Sequence, residues 1–124
     1  MNQRKASARY YLFEDLLWET PSFAHLRKRR ALSDLQLLAG LVWARERGKG
    51  KCPLVRGKET NDYSYYCDGV IHLARKHRSI GGLLHEMAHA MGHTDKLTHG
   101  PAFRKRCFRL YKAYGEWSGQ VEFN

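Results

Sequence analysis

The chain has 124 residues, 43% of them hydrophobic, and carries 22 Lys plus Arg against 12 Asp plus Glu, a formal charge of +10. That length predicts a single domain over 1–124 with one modest core, and a charge of that sign on so short a chain attracts polyanions, nucleic acid above all. Three cysteines, none in a C-x-x-C pair, exclude a complete disulfide framework and are expected as buried reduced thiols.

Met1 to Tyr11 is polar and basic, with no apolar region of a secretory signal behind it. No apolar run is long enough for a membrane span, so a soluble, cytoplasmic protein with a possible place on the nucleoid is expected. Ser7 to Trp18 reads as a helix with a broad apolar face of Tyr10, Leu12, Phe13, Leu16 and Leu17. Thr20-Pro21-Ser22 stops it. Phe23, Leu26 and the run Arg27, Lys28, Arg29, Arg30 follow on a short basic helix. Ser33 suits the N-cap of a further helix carrying Leu35, Leu38, Leu41, Val42 and Trp43, and Gly48 is its natural stop.

The pattern then changes. Cys52 to Arg56, Tyr63 to Cys67 and Val70 to Ala74 read as three short strands, with Asp68-Gly69 as a strong hairpin turn between the last two. Ser79 caps a helix reaching about Met91 and closed by Gly92. Pro101 opens a last helix to Tyr114, which Gly115 terminates. Phe103, Cys107, Leu110, Tyr111 and Tyr114 share one side of it, and Arg104, Lys105, Arg106, Arg109 and Lys112 lie mostly elsewhere. Helices, a small three-stranded sheet and then helices make an α+β domain.

His85-Glu86-Met87-Ala88-His89 matches H-E-x-x-H. On a helix, the two histidines stand one turn apart and can reach one ion from the same side. Glu86 follows His85 by about 100° round the helix, placed to act as general base on water at the metal. A catalytic zinc takes three protein ligands and leaves a fourth position open.

Three residues compete to be the third ligand. His93 lies eight positions after His85, about 12 Å along an unbroken helix, and qualifies only if the helix ends first, as Gly92 allows. Asp95 completes H-E-x-x-H-x-x-G-x-x-D, a metzincin-like layout with Asp in place of the third His. His99 precedes Gly100-Pro101, whose rigidity suits a ligand, and neutral imidazole is the commonest metal ligand. His99 is preferred to Asp95. For stabilising the oxyanion of a hydrolytic reaction, His93 and the tyrosines at 65, 66, 111 and 114 are candidates.

His85-Glu86-Met87-Ala88-His89-Ala90, followed by His99-Gly100-Pro101-Ala102-Phe103 and preceded by the strand Val70-Ile71-His72-Leu73, resembles the SprT-like metallopeptidases. That family includes the Spartan-type proteases that degrade proteins crosslinked to DNA. The resemblance runs from about Cys67 to Phe108. It implies a zincin-like minimal domain, a Zn2+ held by His85, His89 and His99, Glu86 as base, and a protein substrate. SprT-like proteins often carry a C-terminal zinc ribbon of paired cysteines, and this sequence reaches Asn124 without one. DNA contact is therefore expected from the compact domain, at Arg27, Lys28, Arg29, Arg30, Arg104 and Lys105. The alternatives to a DNA-associated protease are a nucleic-acid-binding module with a structural zinc and a metzincin-like protease using Asp95 as third ligand.

Overall fold

The computed structural model describes residues 3–92 and 99–117, with side chains from 8 to 92 and from 99 to 115. Helix α1 spans Gln3–Glu19, a 3₁₀ helix spans Pro21–Arg27, and α2 spans Leu32–Arg45. Strands β1 (Leu54–Gly57), β2 (Tyr65–Cys67) and β3 (Val70–Leu73) follow, then a 3₁₀ turn at Arg75–His77, α3 (Ile80–Met91) and α4 (Pro101–Trp117). The architecture is the α+β arrangement expected, with a small mixed sheet among helices.

The sheet has the order β1-β3-β2, β1 parallel to β3 and β2 antiparallel to it. Asp68 and Gly69 both adopt positive φ, 47° and 80°, as a two-residue type I′ turn demands. The turn sets the register Cys67 opposite Val70 and Tyr65 opposite His72. The period of two then sends Ile71 and Leu73 of the central strand into the core, where both are fully buried.

Helix α3 is the centre of the molecule. Ser79 caps it as expected, its Oγ accepting from Gly82 N at 3.0 Å. Every residue from Ile80 to Ala88 is buried, because α2, α4, the first 3₁₀ helix and the sheet surround it. Two glycines early in the helix allow the close packing. A Cβ on Gly82 would lie 2.1 Å from the His77 carbonyl oxygen, and one on Gly81 would meet the Trp18 ring. Helix α4 buries the expected face of Phe103, Cys107, Leu110, Tyr111 and Tyr114.

Several local expectations need correction. All three strands are shorter than the sequence suggested, and β1 is displaced to take in Gly57. The apolar face of α1 is narrower than expected: Tyr10 and Glu14 are buried, while Leu12, Phe13 and Leu16 are 59%, 50% and 58% exposed. The basic helix ends at Arg27. Residues 28–30 are extended instead because their backbone pairs with the approach to α3, Ile80 N to Lys28 O and Arg30 N to Arg78 O, both at 3.1 Å.

Helix α2 begins at Leu32, so Ser33 lies inside its first turn and Ala31 stands at the cap without a side-chain bond. Its far end is a Schellman turn, with Gly48 N bonded to Trp43 O and Arg47, at φ 55°, as the left-handed residue. Helix α4 continues through Gly115 to Trp117. Of the cysteines, only Cys107 is buried; Cys52 is half-buried and Cys67 exposed.

Candidate metal centre

His85 and His89 stand one turn apart on α3, as the motif requires, and their rings meet that of His99 just before α4. The three ring centroids lie 5.0 to 5.2 Å from one another. One ring nitrogen from each histidine falls within 4.8 Å of the other two, a group able to hold a metal ion. Nε2 of His85 and Nε2 of His99 are 3.2 Å apart. Two ligands of a tetrahedral ion with bonds of about 2.0–2.1 Å should be separated by about 3.3 Å, so that spacing fits.

Each imidazole lies against a different aromatic ring. Tyr11 stacks on His85 at 5.5 Å, Tyr10 on His99 at 5.4 Å, and Phe103 on His89 at 4.1 Å. These contacts fix the ring planes. The His99 carbonyl is held as well, by Arg104 Nε at 2.8 Å.

Behind His85 sits Glu14, 3% exposed, with its carboxylate oxygens 2.8 and 2.9 Å from His85 Nδ1. A carboxylate can only accept, so Nδ1 carries the proton and Nε2 is left to face the other histidines. Tyr111 also donates its hydroxyl to Glu14. Burial pulls the Glu14 carboxyl upward, but the charge and hydrogen bond of His85 and the hydroxyls of Tyr111 and Tyr10 outweigh it and hold Glu14 below the ordinary carboxylate range. Burial likewise opposes a charge on His85, and Glu14 overcomes that, raising it.

The other two histidines are driven the opposite way. Burial, then the charge of His85, lowers His89 to about 3 and His99 to about 4. Both are neutral at pH 7, with a lone pair available for a metal. Glu14, His85 and Cys107 also approach closely enough to form a ligand group. Burial and the Glu14 charge raise the Cys107 thiol, which keeps it protonated and a poor ligand.

Glu86 is 3% exposed, and burial raises it to about 7. It borders a cleft of about 660 Å³ together with Tyr11, Tyr65, Tyr66, His89 and His99. Strand β2 forms one wall of that cleft and, among the described residues, pairs with β3 on one side only.

The structure thus brings His85, Glu86, His89 and His99 together with Tyr65 and Tyr66. Tyr111 points to Glu14 and Tyr114 packs on His25, so neither borders the cleft. His93 and Asp95 lie outside the described residues. Sequence reasoning missed Glu14, Tyr10 and Tyr11. The available signal was Glu14 itself, a carboxylate set among the apolar positions of α1.

The six basic residues expected to meet nucleic acid fall in two separate groups. The segment from Arg27 to Arg30 lies beside the approach to that helix, with Arg29 Nη2 donating to Arg75 O at 2.6 Å. Arg104 and Lys105 sit on the first turn of α4, near His99. Other cations serve the fold: Arg109 pairs with Glu46, Arg106 donates to Ala88 O at 3.0 Å, and Arg78 donates to Lys58 O at 2.8 Å.

No family model, curated protein or solved structure matches the chain. Among the described residues, no helix is long and apolar enough to cross a membrane.

Proposed function

We propose that the chain is a zinc-dependent endopeptidase of the SprT-like type, acting on proteins near nucleic acid. The observation that carries this reading is the convergence of His85, His89 and His99 within 4.8 Å, with the Glu86 carboxyl beside them on an open cleft. Zinc is the metal proposed, because a three-imidazole set with a carboxylate behind one histidine is a common catalytic zinc environment. When bound, zinc supplies a Lewis acid that acidifies water and polarises a scissile carbonyl.

The chain's own residues do the rest. His85, His89 and His99 hold the ion, and Glu14 fixes the tautomer of His85. Glu86 takes a proton from the attacking water and delivers it to the leaving amine. Tyr11, Tyr65 and Tyr66, on the cleft wall, offer hydroxyls to the developing oxyanion. The outer edge of β2, which no strand of the described residues pairs, is where an extended peptide can lie, as a substrate of an endopeptidase must. The net charge of +10 supports a nucleic-acid surface as the place where substrate is met.

The test is zinc content by elemental analysis, then cleavage of casein and of a DNA-binding protein, with and without DNA. Zinc-loaded wild type should cleave and Glu86→Gln should not. Equal, background cleavage by both under every condition would leave the second reading, a nucleic-acid-binding module with a structural zinc, which the charge alone supports.

A further inference from the structure

Helices α1 and α4 lie side by side and run in the same direction. Tyr10 meets Phe103 at 5.5 Å, Glu14 meets Cys107 at 3.7 Å, and Trp18 meets Tyr111 at 5.9 Å. Between their solvent-facing sides is a second concavity, of about 600 Å³, formed by Arg9, Tyr10 and Phe13 of α1 with Arg104, Lys105 and Phe108 of α4. It does not share a lining residue with the cleft at Glu86.

Its chemistry is unusual for a surface hollow. Phe13 is 50% exposed and tilted against Tyr10 at 6.1 Å, and Phe108 is 40% exposed and tilted against Phe23 at 5.8 Å, so two large rings are partly open to water. Each has a cation one helical turn before it, Arg9 before Phe13 and Arg104 before Phe108, which is about 6 Å along the helix. The Arg104 guanidinium lies 5.5 Å from the Tyr10 ring centre. Lys105 adds a third cation, and among the described residues no carboxylate lines the hollow. Each helix therefore contributes to the hollow one partly open ring and a cation one turn before it.

We infer that this groove is a binding site for a nucleobase and its phosphate, the base between Phe13 and Phe108 and the phosphate at Arg9, Arg104 and Lys105. An aromatic plane accepts any base by stacking, and the cations one turn away match the anion attached to it. A base can stack on a protein ring only after it has left the double helix, so the ligand is a single strand or a free nucleotide, not a duplex. The inference rests on the nucleic-acid part of the proposed function and is independent of peptide hydrolysis.

The experiment is fluorescence anisotropy of the full chain with a labelled single-stranded oligonucleotide, the matching duplex, and unlabelled adenosine monophosphate as competitor. The single strand should bind at least about tenfold more tightly than the duplex. Phe13→Ala and Phe108→Ala should each weaken it by about tenfold or more, in line with the loss of one stacked base. Phe13→Tyr should retain binding and Phe13→Leu should not, which separates stacking from mere apolar contact. Arg9→Gln and Lys105→Gln should flatten the salt dependence.

Competition by the mononucleotide at micromolar concentration would identify a free nucleotide as the source; competition only by the strand would identify single-stranded nucleic acid. Thermal melting and zinc content of each variant verify the fold. Single-strand binding unchanged in the folded Phe13→Ala, Phe108→Ala double variant would overturn the groove and leave only diffuse electrostatic attraction. Duplex binding as tight as that of the single strand would overturn it as well. Neither result touches the peptidase reading, which fails only on the Glu86→Gln comparison.

Discussion

The carboxylate of Glu14 accepts the Nδ1 proton of His85 at 2.8 Å and so joins the first long helix of the chain to the metal helix. Both groups are buried, and the charge on Glu14 makes the opposite nitrogen of the ring more basic. Glu14→Gln can still accept from Nδ1 through its amide oxygen but loses the charge. Its zinc affinity should fall by about tenfold, and that of Glu14→Ala by up to about a hundredfold. Glu14→Ala also strips the Tyr111 hydroxyl of its acceptor and should lose about 1–3 kcal/mol of stability. Chelator competition and denaturant unfolding measure the two effects, and unchanged zinc affinity in both variants would remove Glu14 from the site.

The buried carboxyl of Glu86 makes stability of the metal-free protein depend on pH. Burial raises it from 4.5 to about 7, so between those values the folded protein holds a proton that the unfolded chain releases. That contribution is complete below 4.5 and is lost as pH rises through 7. Glu86→Gln has no proton to lose. Without metal it should be more stable than wild type at pH 8, by about 3 kcal/mol, and close to it at pH 4.5. His89 and His99 act with the opposite sign. Each is lowered by burial from 6.5, to about 3 and about 4, so stability present above 6.5 is lost as pH falls toward those values. Urea unfolding of the metal-free proteins at several pH values separates the two effects, and parallel pH profiles for wild type and Glu86→Gln would refute the first.

His99 and Asp95 make different predictions as third ligand. His99 is 6% exposed, with Nε2 3.2 Å from that of His85, and is held there by Tyr10 and by Arg104 at its carbonyl. His99→Ala should release zinc at chelator concentrations that wild type and Asp95→Ala withstand. Loss of zinc in Asp95→Ala with retention in His99→Ala would transfer the ligand role to Asp95.

The legible parts of this chain were those in which local chemistry decides structure. Ser79 before an apolar run, Asp68-Gly69 between alternating strands, and the apolar face from Phe103 to Tyr114 each specify their own geometry, and each was placed correctly. The H-E-x-x-H spacing put His85 and His89 on one side of a helix for the same reason. Decisions made by distant partners were not legible. Nothing near Lys28 announces that its carbonyl will pair with Ile80, and nothing local shows that Gly115 lies inside a helix. Glu14 reaches His85 across the core, a contact that helical periodicity within α1 has no means of expressing. Periodicity also mistook Phe13 and Leu16 for core, since it counts apolar residues but not the surface available to cover them.

The closeness of α3 to the turn before it provides a test of the fold that replaces no residue of the metal centre. A methyl group on Gly82 would sit 2.1 Å from the His77 carbonyl oxygen and 3.0 Å from its carbon, both backbone atoms that cannot rotate aside. Gly82 N is also the donor to the Ser79 cap at 3.0 Å, so displacing this turn weakens the start of the metal helix. Alanine is the better helix former by about 1 kcal/mol, and a helix whose first turn stood clear of its neighbours would gain from the change. Here overpacking should win, and Gly82→Ala should lose about 1–3 kcal/mol or more in denaturant unfolding. Gly40→Ala is the control, because its Cβ would meet nothing within 4 Å and it lies inside α2. That variant should be neutral or gain up to about 1 kcal/mol. A Gly82→Ala protein as stable as Gly40→Ala would mean that α3 stands further from His77 than described.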